Sequence, residues 1–417
     1  MKWKTISINK TFSAFLILLT AAGTAYILRI AQIGYLNDDW YLMYAGHAYG
    51  ADSFFDIFSV DRPARALLLT PMYMLFGDQV LYYNLSAVFF RLISAVGFLW
   101  LLQMLWPQQR AATFSTALLF FLYPGFLSQF NGIDYQSQMV SLAAGMISLA
   151  LSVKASVTQK PALQVLFLII ATLLGWFYLG LVEYFIGFEA LRFAIFILLK
   201  NRKPGKWMEK TLAGIRDWLP YILIPAVFLI WRIFFFESQR GATDIGSQLE
   251  TFKELPLATS LWWLVRLFFN ALHVTFFAWG VPLYQLSGEI SRLRDMFIAL
   301  LSAGILIGSA LWHIRPSDHE SGNTQESNNW RIEALVLGTL VVFAGLLPVI
   351  LVNRQVDFTN FTRYTLASSA GSSLILTVIL YSISMPALRS REFPYSCWSR
   401  YSHITPMQLS YRTKPHP

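Results

Sequence analysis

The chain has 417 residues, of which 56% are hydrophobic and only 13% charged, with a formal net charge of +9. Soluble proteins carry about a quarter charged residues, so the composition excludes a soluble globular domain and points to a polytopic helical membrane protein. The basic residues sit in short loops beside apolar runs, a pattern that sets topology and excludes a nucleic-acid surface.

The first apolar run, 12–30, follows Lys2, Lys4 and Lys10 and is long enough to span, so it reads as an uncleaved helix and not a signal peptide. A long polar segment, 31–81, comes next. Its stretch 64–77 is too short to cross and reads as an interfacial or re-entrant helix. Further spans are predicted at 82–105, 111–127, 137–153, 161–180, 182–199, 218–236, 296–314, 332–352 and 365–383. The loop 200–217 holds Lys200, Arg202, Lys203, Lys206, Lys210 and Arg216 against Glu209 and Asp217, which assigns it to the cytoplasm. Counting back, 31–81 lies on the non-cytoplasmic face and the N-terminus inside; counting forward, the C-terminal tail lies inside. That parity leaves no room for 261–283 to cross as a single span. Its Arg266, Asn270 and His273 are also costly at mid-membrane, so it reads as an interfacial, re-entrant or hairpin segment.

The fold class is therefore all-α: an integral membrane protein of about 10–11 transmembrane helices, with interfacial helices in the first outside loop. A domain over 1–385 contains that loop, and an irregular basic tail covers 386–417. The loops 237–260, with Glu237 and Asp244, and 315–331 read as polar connections. Cys397 is the only cysteine, which excludes an intramolecular disulfide and a cysteine-based metal site; the six histidines show no ligand spacing.

Chemistry concentrates in the first outside loop. Asn37-Asp38-Asp39-Trp40 places two adjacent carboxylates about ten residues past the first span. Repulsion and partial desolvation raise at least one of their pKa values, so either is a candidate base or cation ligand. The plainer alternative is a helix cap beside an aromatic belt of Trp40, Tyr41, Tyr44 and Tyr49. The same loop ends in Asp61-Arg62-Pro63-Ala64-Arg65, whose guanidinium groups suit a phosphate. Glu183 and Glu189 interrupt an apolar helix, with Arg192 one turn beyond Glu189 as a pairing partner. Arg363 and Tyr364 precede a helix start rich in small residues, a second place to hold a lipid-linked phosphate.

In this order the motifs resemble the GT-C superfamily of membrane glycosyltransferases, in particular the family related to protein O-mannosyltransferases. The resemblance covers about residues 10–190 and 332–375. It rests on Asn37-Asp38-Asp39-Trp40-Tyr41, Asp61-Arg62-Pro63, Phe76-Gly77, Tyr82-Tyr83-Asn84, Tyr123-Pro124, Glu183 and Arg363-Tyr364. The resemblance implies transfer of a sugar from a polyprenyl-phosphate donor to a glycan, lipid or protein acceptor on the non-cytoplasmic face. Asp38 or Asp39 would act as base, or the pair would support a divalent metal (Mg or Mn); Arg62, Arg65, Glu183, Arg363 and Tyr364 would bind substrate and its phosphate. A histidine usual near Tyr82-Tyr83-Asn84 and a proline usual after Arg363-Tyr364 are missing, which leaves donor sugar and acceptor open. Two other readings compete. A lipid-linked-glycan flippase would use Arg91, Glu183, Glu189 and Arg232 as a polar pathway and predicts inverted repeats; none is evident. A non-catalytic partner of an envelope enzyme would carry the acidic pair as surface decoration.

Overall fold

The computed structural model describes residues 8–236, 239, 250, 252–288, 293–314 and 324–389. Glu237, Asp244, most of the 315–331 linker and the tail from 390 onward lie outside them. The described residues are helical throughout, with no strand, and nine of their helices are long and apolar enough to cross a membrane. The chain divides into a body, 1–378, and a C-terminal unit, 379–417.

Ten segments of the body run lengthwise: α1 (Ile8–Ala22), α5 (Val80–Leu105), α6 (Arg110–Phe121), α7 (Gln136–Val157), α8 (Pro161–Leu181), α9 (Gly187–Asn201), α10 with α11 (Trp207–Trp218, Leu223–Ile230), α14 (Leu293–Ile314), α15 (Thr324–Leu351) and α16 (Leu366–Arg389). They correspond to the ten predicted spans, with corrections at two. The span predicted at 111–127 contains a helix of only 12 residues, which stops before Tyr123-Pro124 because the residue preceding proline disfavours helical backbone. The span predicted at 182–199 begins with an extended Val182 and a tight turn, Glu183–Ile186, leaving α9 at 15 residues. α16 continues past Pro386, where the irregular tail was predicted to start; Met385, Ala387 and Leu388 are good helix formers.

One end of the bundle is marked by the Arg202–Glu333 ion pair and by Trp106, whose indole donates to Glu333 at 2.7 Å. The opposite end carries the long first loop. There α4 (Ala64–Phe76) matches the helix predicted at 64–77, and α2 (Asp39–Tyr49) and α3 (Ser53–Ser59) precede it. Gly50 and Gly77 end α2 and α4 at φ +85° and +53°, left-handed values that glycine adopts without strain. Leu42, Met43, Phe54, Phe58, Ala66 and Leu69 form a core that packs on Tyr83 of α5 and on Ile133. Each large apolar side chain buried there contributes about 1.5–3 kcal/mol. The loop is thus fixed to the bundle rather than lying free.

α12 (Pro256–Thr275) is one of the nine long apolar helices; before it Arg232 donates to the Asp61 carbonyl, and after it Ile298 lies with Ile33 and Phe130, both at the loop end. Trp263 donates to the Asn353 side chain at 3.1 Å, Asn270 Oδ1 accepts the Val356 N–H at 2.5 Å, and the His273 ring lies 6.1 Å from Phe358. All three partners belong to the connection between α15 and α16 at the loop end. The chain then turns through Phe277–Gly280 and α13 (Val281–Gly288) and enters α14 from the same end. The segment predicted at 261–283 is thus continuous helix up to Thr275, a turn at Phe277–Gly280 and the start of a second helix.

Within the bundle, Arg192 donates through Nε to Glu189 Oε2 at 2.8 Å and through a terminal nitrogen to Ser148 Oγ at 2.8 Å, while Tyr178 donates to Glu189. This pair, predicted from its spacing, is fully enclosed. Where α9 meets α15, a Cβ at Gly187 would fall 2.4 Å from the Ala344 carbonyl oxygen, so only glycine permits that approach, and the turn carrying Glu183 is held against α15.

Candidate active site

The loop end gathers side chains from five chain segments: the start of α2, the start of α4, the connection 122–135 between α6 and α7, the turn preceding α9 and the turn preceding α16.

The two aspartates have different environments. Asp39 is 0% exposed. Its Oδ1 accepts the Asp134 N–H at 2.9 Å and its Oδ2 the Leu36 N–H at 3.3 Å. With the Asn131 amide turned so that its nitrogen faces the carboxylate, it donates to the two Asp39 oxygens at 2.8 and 2.9 Å. Burial lifts the Asp39 carboxyl to about 7, against the backbone N–H donors that pull it down; the nearby Asp134 charge adds to the rise. Asp38, by contrast, is exposed, and its carboxylate makes no hydrogen bond or ion pair to the described residues. The preceding Asn37 adopts φ +45°, a left-handed turn that asparagine tolerates.

Asp134 extends the network. Its carboxylate accepts from Arg65 at 2.8 Å and its carbonyl from the same guanidinium at 2.6 Å, while Arg65 lies 4.4 Å from the centre of the Phe58 ring. Arg62 forks onto Glu183 with contacts of 2.7 and 2.5 Å, and a further nitrogen lies 3.5 Å from Asp61. Arg232 donates to the Asp61 carbonyl at 3.1 Å. Arg62, Arg65 and Glu183, each expected to bind substrate, are engaged with one another or with Asp134, and these contacts tie α4 to the connection 122–135 and to the turn before α9.

Arg363 differs. It donates to the Tyr135 hydroxyl at 2.7 Å and lies within 5.6 Å of the ring centres of Tyr135, Phe361 and Tyr364. Among the described residues no carboxylate pairs with it. Tyr364, the other predicted residue of that turn, packs edge-on to Tyr184 with ring centres 5.5 Å apart. Burial raises the Tyr135 phenol, Arg363 pulls it down, and the Asp38 charge is close enough to push it up. Tyr135 thus binds the unpaired guanidinium directly and senses the charge of the exposed acid.

Asn131, Asp134 and Tyr135 were not among the residues the sequence singled out. The available signal was the polar run Asn131-Gly132-Ile133-Asp134-Tyr135 between two apolar spans, on the same side as Asp38 by parity. Arg91, read as facing protein, does so: it donates to the Phe121 and Tyr123 carbonyls at 2.9 and 2.7 Å and to Gln129 Oε1 at 2.8 Å, shaping the start of that connection.

A divalent metal on Asp38 and Asp39 does not fit this donor set. Both Asp39 oxygens already accept N–H donors, Asp134 is paired with Arg65, and among the described residues no three His, Cys, Asp or Glu side chains gather as ligands. Neither a protein-family model nor a curated protein matches the chain.

Proposed function

We propose that the protein is a membrane glycosyltransferase of the GT-C type, moving a sugar from a polyprenyl-phosphate donor to an acceptor on the non-cytoplasmic face. Both termini would be cytoplasmic. The observation that carries the reading is the sorting of charge at the loop end. Arg62, Arg65 and Arg232 each contact a carboxylate-bearing partner residue, whereas Arg363 binds the Tyr135 hydroxyl without a carboxylate partner among the described residues, and Asp38 is exposed with its charge felt at the same phenol.

Such a pair suits inverting sugar transfer. The acceptor oxygen forms a bond to the anomeric carbon while the bond from that carbon to the phosphate oxygen breaks. Asp38 takes the acceptor proton as general base. The departing electron pair goes to the lipid phosphate, where Arg363 neutralises the growing charge. Asp39 is the positioning residue: by accepting the Asp134 and Leu36 N–H groups it aligns Asp38 and Tyr135. No step passes through a metal.

The flippase reading is less well supported, because the groups that would line its pathway are saturated: Arg91 by two carbonyls and Gln129, Glu189 by Arg192 and Tyr178, Arg232 by Asp61.

The test is transfer of labelled sugar from a polyprenyl-phosphate donor in membranes. Asp38→Ala is expected to lower the rate by about 10²–10⁴, the contribution of a general base, with the melting temperature unchanged. Undiminished transfer by that variant removes Asp38 from the mechanism.

A further inference from the structure

Tyr135 carries a hydroxyl that has no part in the proton transfer to Asp38. The residue caps α7, is only 9% exposed, and packs edge-on against Phe126 with ring centres 5.8 Å apart. Its oxygen accepts from a terminal nitrogen of Arg363 at 2.7 Å. Its own proton finds no acceptor among the described residues, and a donor buried to this extent is rarely left without one.

Arg363 lacks the complementary group. Its guanidinium lies 5.0 Å from the ring centre of Tyr364 and 5.3 Å from that of Phe361, and among the described residues no carboxylate pairs with it. The rings attract the cation and fix its place without neutralising it. Two further contacts hold the turn that carries it. The Thr362 hydroxyl meets Ser128 Oγ at 2.9 Å, and Tyr184 donates to the Arg363 carbonyl at 3.3 Å. Tyr135 also stands at the positive end of the α7 dipole. A fixed O–H donor, a fixed cation bonded to it and a helix N-terminus are together complementary to an anion with several oxygens. Arg62, Arg65 and Arg232 are less suited to that anion, because each already contacts a carboxylate.

Resting on the transferase reading, we propose that Tyr135 is a further catalytic residue: its phenolic O–H donates to the phosphate oxygen from which the sugar departs, while Arg363 holds the charge of the phosphate. Before transfer that oxygen bridges phosphorus and the anomeric carbon and is a weak acceptor. As the carbon–oxygen bond breaks, the oxygen takes the electron pair and becomes a phosphate oxyanion, which accepts a strong, charge-assisted bond. The phenol keeps its proton throughout; the proton of the acceptor goes to Asp38. Arg363, bonded to the phenol oxygen, polarises the O–H and makes it a better donor. The bond is made mainly in the transition state and the product, so it acts on kcat and leaves donor binding alone.

The test measures binding to the full chain in phosphatidylcholine nanodiscs, with geranylgeranyl phosphate, its methyl diester and dioleoylphosphatidic acid as probes. The monoester presents the free oxyanion of the product, and the diester presents the esterified oxygen of the donor. Tyr135→Phe is expected to weaken monoester binding about tenfold and to leave diester binding nearly unchanged. 4-Methoxyphenylalanine in place of Tyr135 keeps an oxygen for Arg363 but has no proton. It is expected to give the same split, and it decides the matter if Tyr135→Phe lowers the melting temperature. Equal losses for the two esters, or no loss for either, overturn the proposal. Phosphatidic acid bound as tightly as the prenyl monoester, with the same dependence on Tyr135, makes the site one for bilayer headgroups and overturns it as well. In membranes, Tyr135→Phe is expected to lower kcat for transfer from polyprenyl-phosphate sugar about 10²-fold, the cost of one transition-state donor, with KM unchanged. Undiminished kcat overturns the proposal and leaves the transferase reading intact. Monoester binding that depends on Tyr135 in a wild-type protein that transfers no sugar removes the transferase reading, and the catalytic role with it, and leaves a phosphate site.

Discussion

At Asp39, burial and hydrogen bonding oppose each other, and burial wins: its carboxyl is lifted from the usual range to about 7. An acid whose pKa is raised on folding favours the folded state most when protonated in it. That contribution is complete below the unfolded value near 4 and is lost as pH rises through 7. Between pH 5 and 8 the loss is about 3 kcal/mol. The wild-type protein is therefore expected to melt at a lower temperature at pH 8 than at pH 5, by differential scanning fluorimetry in detergent. Asp39→Asn, which keeps the shape and cannot ionise, should flatten that dependence; an unchanged slope would mean another group titrates. Asp38 should behave oppositely in kind, its loss removing transfer and leaving the melting curve alone. The sequence placed both acids in the right loop but did not distinguish them. Exposure depends on packing against Asn131 and Asp134, almost a hundred residues away. The same limit explains Arg62 and Arg65. Their guanidinium groups were legible as anion binders, but their pairing with Glu183 and Asp134 was not, because spacing along the chain does not reveal long-range partners.

Among the elements, the first loop shows how short helices hold a site. α4 begins directly after Pro63, a favourable helix start, and Arg62 just before it forks onto Glu183 in the turn before α9. The helix is thereby tied to the point where Gly187 presses α9 onto α15. Removing one partner of this half-buried pair leaves a polar group without its counterpart and costs about 1–3 kcal/mol. Arg62→Ala is expected to lower the melting temperature and reduce transfer through disorder of the loop, whereas Arg62→Met with Glu183→Leu should recover most of the stability. Equal losses in the single and double variants would show that the pair does not hold α4. The long spans were readable because twenty-odd apolar residues leave little choice in a bilayer. α6 and α9 were drawn too long because hydropathy continues through Tyr123-Pro124 and through Val182–Ile186, where backbone geometry and not polarity ends the helix. Their positions were correct; their termini required the φ/ψ values that proline and the Glu183 turn impose.

Over the whole molecule, the parity of the crossings connects the loops to one another. Ten lengthwise segments bring the connections 31–79, 122–135, 182–186 and 352–365 to one end, and α12 must then begin and finish at that end. A helix of this length and hydropathy would ordinarily be assigned to a crossing, and only Arg266, Asn270 and His273 in its composition argue otherwise. What keeps it at one end is Asn270, whose side chain accepts the buried Val356 N–H, together with Trp263 and His273 against the α15–α16 connection. A crossing helix would leave that N–H without its acceptor, a cost of about 1–3 kcal/mol, and would separate Arg266 from Asn353. Cysteine accessibility measures this directly, because Cys397 is the only native thiol. In a Cys397→Ser background, single cysteines at Ala48, Glu254 and Tyr284 are expected to react with a membrane-impermeant maleimide from the same side of sealed vesicles. Cysteines at Thr158 and Lys206 are expected to react only from the other. Opposite-side labelling of Glu254 and Tyr284 would make α12 a crossing, reverse the side assigned to α14 through α16, and remove Arg363 from the face that bears Asp38.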